Sequence, residues 1–137
     1  MLTRQKILIA LLVVSLLIFG NSKVGGAEWK LLVDNKKADV IVFYDSDSLT
    51  SSENSVRVWI KWVYKNHEFK DYEKQLFELN CKEKRFRVLE EIIYLKEGWS
   101  SEKDEKNERL QKRPLPSNWQ FVEPDTVGMV MHKKFCH

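Results

Sequence analysis

Three groups of residues carry side chains able to do chemistry. The first is Arg57, Trp59 and Lys61, alternate positions within the run Ser55 to Tyr64. In an extended strand, alternate residues share a face, so an indole stands between two cations. Aromatic side chains and arginine supply much of the affinity at protein interfaces, which makes this trio a candidate binding patch. The second group is terminal: Met129, Met131, His132, Cys136 and His137. Four residues separate His132 from Cys136, which places them on one face of a helix. Thioether, imidazole and thiolate together suit copper(I). A disulfide at Cys136 removes the best of these ligands, so neither a metal nor any other cofactor is expected. The third group is Glu90 and Glu91, which as strand neighbours point to opposite faces and do not form a carboxylate pair. The sequence holds no Gly-x-Ser-x-Gly elbow, no phosphate-binding glycine loop and no His-Glu-x-x-His pair. No catalytic residues are expected, and the chain does not read as an enzyme.

The compartment follows from the first residues. Arg4 and Lys6 precede an apolar run from Ile7 to Phe19 that only Ser15 interrupts. Small residues then end in Gly25, Gly26 and Ala27. That order is a signal peptide over residues 1–27, with cleavage after Ala27 and a domain over residues 28–137. The run is short for a membrane span, although an uncleaved anchor is the alternative. No cysteine lies near the cleavage site, so lipid attachment is not expected. The sequence predicts an exported protein, periplasmic or secreted or associated with the surface, with no stable span after cleavage.

Charge narrows the partners. The chain has a formal charge of +3, but Arg4, Lys6 and Lys23 supply all of it. The exported part has 23 − 3 = 20 basic residues against 20 acidic ones. A neutral domain is not expected to bind nucleic acid, which selects a basic excess. An extracellular or envelope protein remains the expected partner class. The alternative is a structural envelope domain with no dedicated ligand.

The elements that must position these groups are mostly strands. Glu28 to Val33, Asp39 to Tyr44, Ser55 to Tyr64, Gln75 to Cys81 and Arg85 to Leu95 each read as a strand, and Asn118 to Val122 as a short last one. Val56, Val58, Ile60, Trp62 and Tyr64 share one face, with Arg57, Trp59, Lys61 and Val63 on the other. Such alternation predicts an antiparallel sheet with one buried face. Phe77, Leu79 and Cys81 share a face, as do Phe86, Val88, Ile92 and Tyr94, with Glu90 marking a bulge or partial exposure. Lys65 to Lys74 reads equally as a loop or a helical turn. Gly98 to Arg113 is highly charged, with helical spacing of Glu102/Lys106, Glu105/Arg109 and Glu108/Lys112 but almost no apolar stripe; it reads as a solvated loop, a frayed helix or a mobile binding loop. Glu123-Pro124-Asp125-Thr126, with an acidic residue, a proline and side chains able to cap, reads as the start of an amphipathic helix whose Val127, Val130, Met131 and Phe135 pack on the sheet. Five tryptophans are present, and most should be core. Trp59 is the exception, unless the helix or the charged segment covers its face; the pattern leaves open which face the helix takes.

Two cysteines in an exported chain predict a disulfide, here Cys81 to Cys136, closing 136 − 81 = 55 residues. The Trp29 strand, the strand ending Tyr44-Asp45, the alternating Val56 to Lys61 run, Cys81 followed by Lys82-Glu83-Lys84-Arg85, and then Trp119, Pro124 and Cys136 come in an order that resembles the bacterial surface-adhesin protein E family. The resemblance spans Trp29 to Cys136. It implies an α+β fold, a single antiparallel sheet of about six strands with a C-terminal helix tethered by a disulfide. It also implies a binding role towards host matrix and serum proteins.

Overall fold

The structure, a computed structural model, describes residues 27–96, 108–110 and 114–137. The expected signal segment lies outside them except for Ala27, as does most of the charged segment, including Trp99. Strands β1 (Trp29–Asn35), β2 (Val40–Asp45), β4 (Ser55–Tyr64), β5 (Lys70–Asn80), β6 (Arg85–Leu95) and β7 (Glu108–Leu110) form one sheet in the order β1-β2-β4-β5-β6-β7. Short strands β3 (Thr50–Ser51) and β8 (Gln120–Phe121) add to β4 and β6. Every pairing is antiparallel. One helix follows, α1 (Val127–Phe135). The predicted α+β class, the antiparallel sheet and the disulfide-tethered C-terminal helix are all present.

The turns are closed by the residues that begin them. Asn35 Oδ1 accepts from the Ala38 amide at 3.0 Å, and Asn80 Oδ1 from the Glu83 amide at 2.9 Å. The turns end in left-handed residues, Asp39 and Lys84, both at φ 51°. At α1 the Thr126 hydroxyl accepts from the Met129 amide at 3.3 Å, so the expected cap is in place.

Burial settles which face the helix covers. Val42, Val58, Ile60 and Leu79 are fully buried, together with Met131 of α1. Val40, Val56, Phe77, Val88 and Phe135 complete the core. The register pairs Val56 with Leu79 and Val58 with Phe77, so this is the even-numbered face of β4. Phe135 meets the Tyr44 ring edge-on at 5.2 Å. Gly128 sits directly over Phe86, where a Cβ would stand 3.4 Å from a ring carbon. Arg57, Trp59 and Lys61 therefore lie on the face that α1 leaves alone, here called the outer face. Among the described residues no helix covers it.

Four expectations need correction or completion. Ile92 and Tyr94 do not share a face with Phe86 and Val88. Leu76 pairs with Glu90 while Phe77 pairs with Val88, so Leu89 is an extra residue on β6. This bulge inverts the parity beyond it, keeping Phe86 and Val88 in the core and sending Ile92 and Tyr94 to the outer face. Next, β5 begins at Lys70, so half of the ambiguous Lys65 to Lys74 stretch is strand. Within the charged segment, Glu108–Leu110 is strand rather than helix and pairs with Ile92 to Tyr94 of β6. Last, Trp119 is not core: it is 37% exposed.

Candidate functional site: the outer face of the sheet

Cross-strand register turns the outer face into rows. Arg57 stands opposite Glu78, and Glu78 opposite Arg87. Trp59 faces Leu76, which faces Glu90. Lys61 pairs with Lys74, which pairs with Ile92. Val63 faces Tyr72, which faces Tyr94. On the β2 side, Phe43 lies opposite Lys61.

The first row is self-contained. Arg57 Nε donates to Glu78 Oε2 at 2.7 Å, and Arg87 holds Oε1 through Nε at 2.9 Å and Nη2 at 2.7 Å. Glu78 is buried although it belongs to the outer face, because the two guanidiniums and their stems cover it. Burial alone would raise its carboxyl pKa, but the two arginines donate to it and attract it, and they hold it below the ordinary carboxylate value. Arg87 also stacks on the Trp119 ring at 4.5 Å. So Arg57 is committed within the fold.

Lys61 sits in different surroundings. Its Nζ lies 4.6 Å from the Tyr72 ring centre and 5.7 Å from that of Trp29. Lys74 Nζ lies 5.8 Å from the same Trp29 ring and 5.1 Å from Tyr94, whose hydroxyl is 3.5 Å away. Tyr72 and Tyr94 stack with centres 4.1 Å apart. The two ammonium groups thus share one indole and rest against a stacked pair of phenols. Among the described residues neither forms a salt bridge. Burial, and then the charge of Lys74, push the Lys61 pKa below the ordinary lysine value, opposed by Asp71.

Trp59 is half-buried between these rows, and its backbone N–H donates to Ser48 Oγ at 3.0 Å. The predicted trio therefore shares a face but not an environment. Sequence reasoning missed Lys74, Trp29, Tyr72 and Tyr94, because only the register brings them beside Lys61. The alternation that picked out Lys61 carries no information about its neighbours on β5 and β6.

Other clusters are accounted for by the fold. Cys81 and Cys136 are bonded, with Cα atoms 5.4 Å apart. Met131 is core, and His132 Nε2 lies 3.2 Å from the Cys81 carbonyl oxygen. Glu73 is buried on the helix side, where Tyr64 donates to it at 2.6 Å and Lys70 at 3.2 Å. Burial and that bond push the Tyr64 phenol well above its ordinary value. Both Glu73 oxygens are thus bound within the fold. An open groove between the β1–β2 turn and α1 is lined by Val33, Lys36, Val127, Val130 and Lys133, and none of its polar residues is buried.

Comparison with known families agrees with this layout. A model described as surface-adhesin protein E matches residues 29–137. The chain belongs to the surface-adhesin protein E family. No curated protein and no solved structure matches it. The family match spans every described element, from the Trp29 strand to the disulfide-bound end of α1. Membership points to an adhesin-like domain and suggests a role other than catalysis. Among the described residues no helix is long and apolar enough to cross a membrane.

Proposed function

We propose that the chain is an exported binding domain that engages a protein partner, at the cell surface or in the periplasm, through the outer face of its sheet. One observation carries this reading. The helix closes one face, and the described elements leave the other carrying half-buried Trp29, Trp59, Tyr72 and Tyr94 among cations. Large aromatics grouped among cations on the face that the helix leaves alone have the composition of an interface, and apolar surface left open there costs solubility. At a protein interface they serve as rigid anchors with little rotamer entropy to lose. Family membership supports adhesion as the role.

Surface display and binding are tested together. Protease shaving of intact cells reports whether the domain is accessible from outside. The exported protein, carrying a photo-crosslinking residue at Val63 or, separately, at Lys133 on the helix side, is then exposed to envelope and matrix proteins. Crosslinks from Val63 and not from Lys133 are expected. Crosslinks only from the helix side would refute the assignment.

A further inference from the structure

The geometry points to a finer assignment within that face: Lys61 and Lys74, walled by Trp29, Tyr72 and Tyr94, form a receptor for the carboxylates of an acidic segment of a protein partner. The inference rests on the outer face being the binding face.

Charge segregation is the first argument. Strands β4, β5 and β6 place Arg57, Lys61, Lys74, Arg85 and Arg87 on this face against Glu78 and Glu90, and with Asp71, whose charge also reaches Lys61, the balance is 5 − 3 = +2 in an exported part whose charges cancel. The like-charged pair is the second. Lys61 and Lys74 are directly opposite each other across the strands, an arrangement that destabilises a sheet. Among the described residues no carboxylate forms a salt bridge with either. Burial and then the same repulsion lower the Lys61 pKa, and the charge of Asp71 offsets them only in part. An incoming carboxylate would relieve it.

Preorganisation is the third argument. Each ammonium rests on two aromatic rings, between 4.6 and 5.8 Å from their centres. That contact holds long, flexible side chains in place before a ligand arrives, which lowers the entropic cost of binding. The surroundings then favour a protein over a sugar or free phosphate. Phe43, Val63 and Ile92 flank the lysines and are half-buried. They match apolar side chains interspersed with carboxylates, whereas sugar hydroxyls placed against them would go unpaired.

The test titrates the exported protein at low salt with three probes: a short fluorescein-labelled peptide of alternating Glu and Leu, a heparin oligosaccharide, and inorganic phosphate. The peptide should bind most tightly and weaken as salt rises. The double variant Lys61→Gln/Lys74→Gln should weaken it about tenfold or more. Lys74→Glu should abolish binding while melting no lower than the parent protein, because it creates a cross-strand pair of opposite charge. A purely structural role for Lys74 would give the reverse, a lower melting temperature with binding retained. Failure of the peptide to bind, or equal binding by the double variant, overturns the assignment. Tighter lysine-dependent binding of heparin or phosphate overturns its protein class. If a crosslinked partner is lost by Trp59→Ala but kept by the lysine double variant, the outer-face reading stands and the acidic-segment assignment falls. Crosslinks confined to the helix side sink the broader reading, and the peptide titration still reads the lysine site by itself.

Discussion

Replacing both Cys81 and Cys136 with serine should detach the helix before it melts the sheet. The bond closes a sequence separation of 55 residues. Chain entropy for a loop of that length gives about 4 kcal/mol of stabilisation. In a domain of this size about 1 kcal/mol moves the melting temperature by ~4 °C or more, so the variant should melt on the order of 15 °C lower. The loss is not spread evenly. Helix α1 has nine residues, and isolated helices shorter than about 12 residues are marginal in water. It is held by the burial of Met131 and Phe135, by the close approach of Gly128 to Phe86, and by the bond one residue beyond its end. Burying a methionine and a phenylalanine contributes about 3–6 kcal/mol together, comparable with the disulfide term. Removing the tie should therefore let the helix open locally while β4 and β5, each paired on both sides, stay closed. Hydrogen exchange followed by mass spectrometry reads this directly. Amides of Val130 to Phe135 should lose protection in the variant under conditions where those of Val56 to Ile60 keep it. Simultaneous loss in both segments, or a melting temperature within about 3 °C of the parent, would refute the reasoning.

Trp62→Ala should destabilise by about 3 kcal/mol, because Trp62 packs on Phe77 and the core, whereas Trp59→Ala should cost under about 1.5 kcal/mol and weaken partner binding; equal thermal destabilisation would make Trp59 a core residue. Glu78→Gln should cost about 2 kcal/mol near neutrality, because it removes the negative charge between Arg57 and Arg87 and turns one of the two acceptor oxygens into an amide donor facing a guanidinium. Because the folded carboxyl is held below its unfolded value of about 4.3, that contribution is fully present above this pH and fades as pH falls through the lowered value, so acid melts of variant and parent should converge, and parallel curves would count against the clasp. Cleavage after Ala27 should leave Glu28 at the N-terminus, as mass spectrometry of the exported protein would show. The Glu28 nitrogen already donates to buried Asp45 at 3.0 Å, so cleavage would make this a charged pair, and Asp45→Asn should destabilise the cleaved protein more than the uncleaved one.

Local patterns made most of the fold legible, and long-range register was where they ran out. The alternation from Ser55 to Tyr64 identifies β4 to the residue, and the Glu123 to Thr126 start with the apolar spacing after it identifies the helix. The disulfide follows from a count of two cysteines in a chain expected to be exported. The position of Lys74 followed from nothing local. It lies in a polar run that reads equally as a loop or a helical turn until pairing with β4 makes it strand, and only pairing puts it against Lys61. Ile92 and Tyr94 share a face with Phe86 and Val88 by parity alone. One extra residue at Leu89 reversed that parity, and the interruption at Glu90 was its only trace in the sequence. Arg57 looked like a binding residue because its acceptor, Glu78, is 21 residues away along the chain.

The two ends of the outer face differ in what they leave for a partner. At the Trp119 end each Glu78 oxygen is occupied, so a partner approaching Arg57 competes with a carboxylate already in place at 2.7 Å. Exchanging one carboxylate for another gains little, so that end contributes rigidity and shape. At the Trp29 end two ammoniums face each other with no salt bridge among the described residues, and a partner carboxylate there replaces repulsion with attraction. Trp59 lies on the row between. The partner's apolar contact should therefore centre on Trp59 and its acidic contact on Lys61 and Lys74. Loss of Arg57 should reach binding mainly through the shape of the sheet.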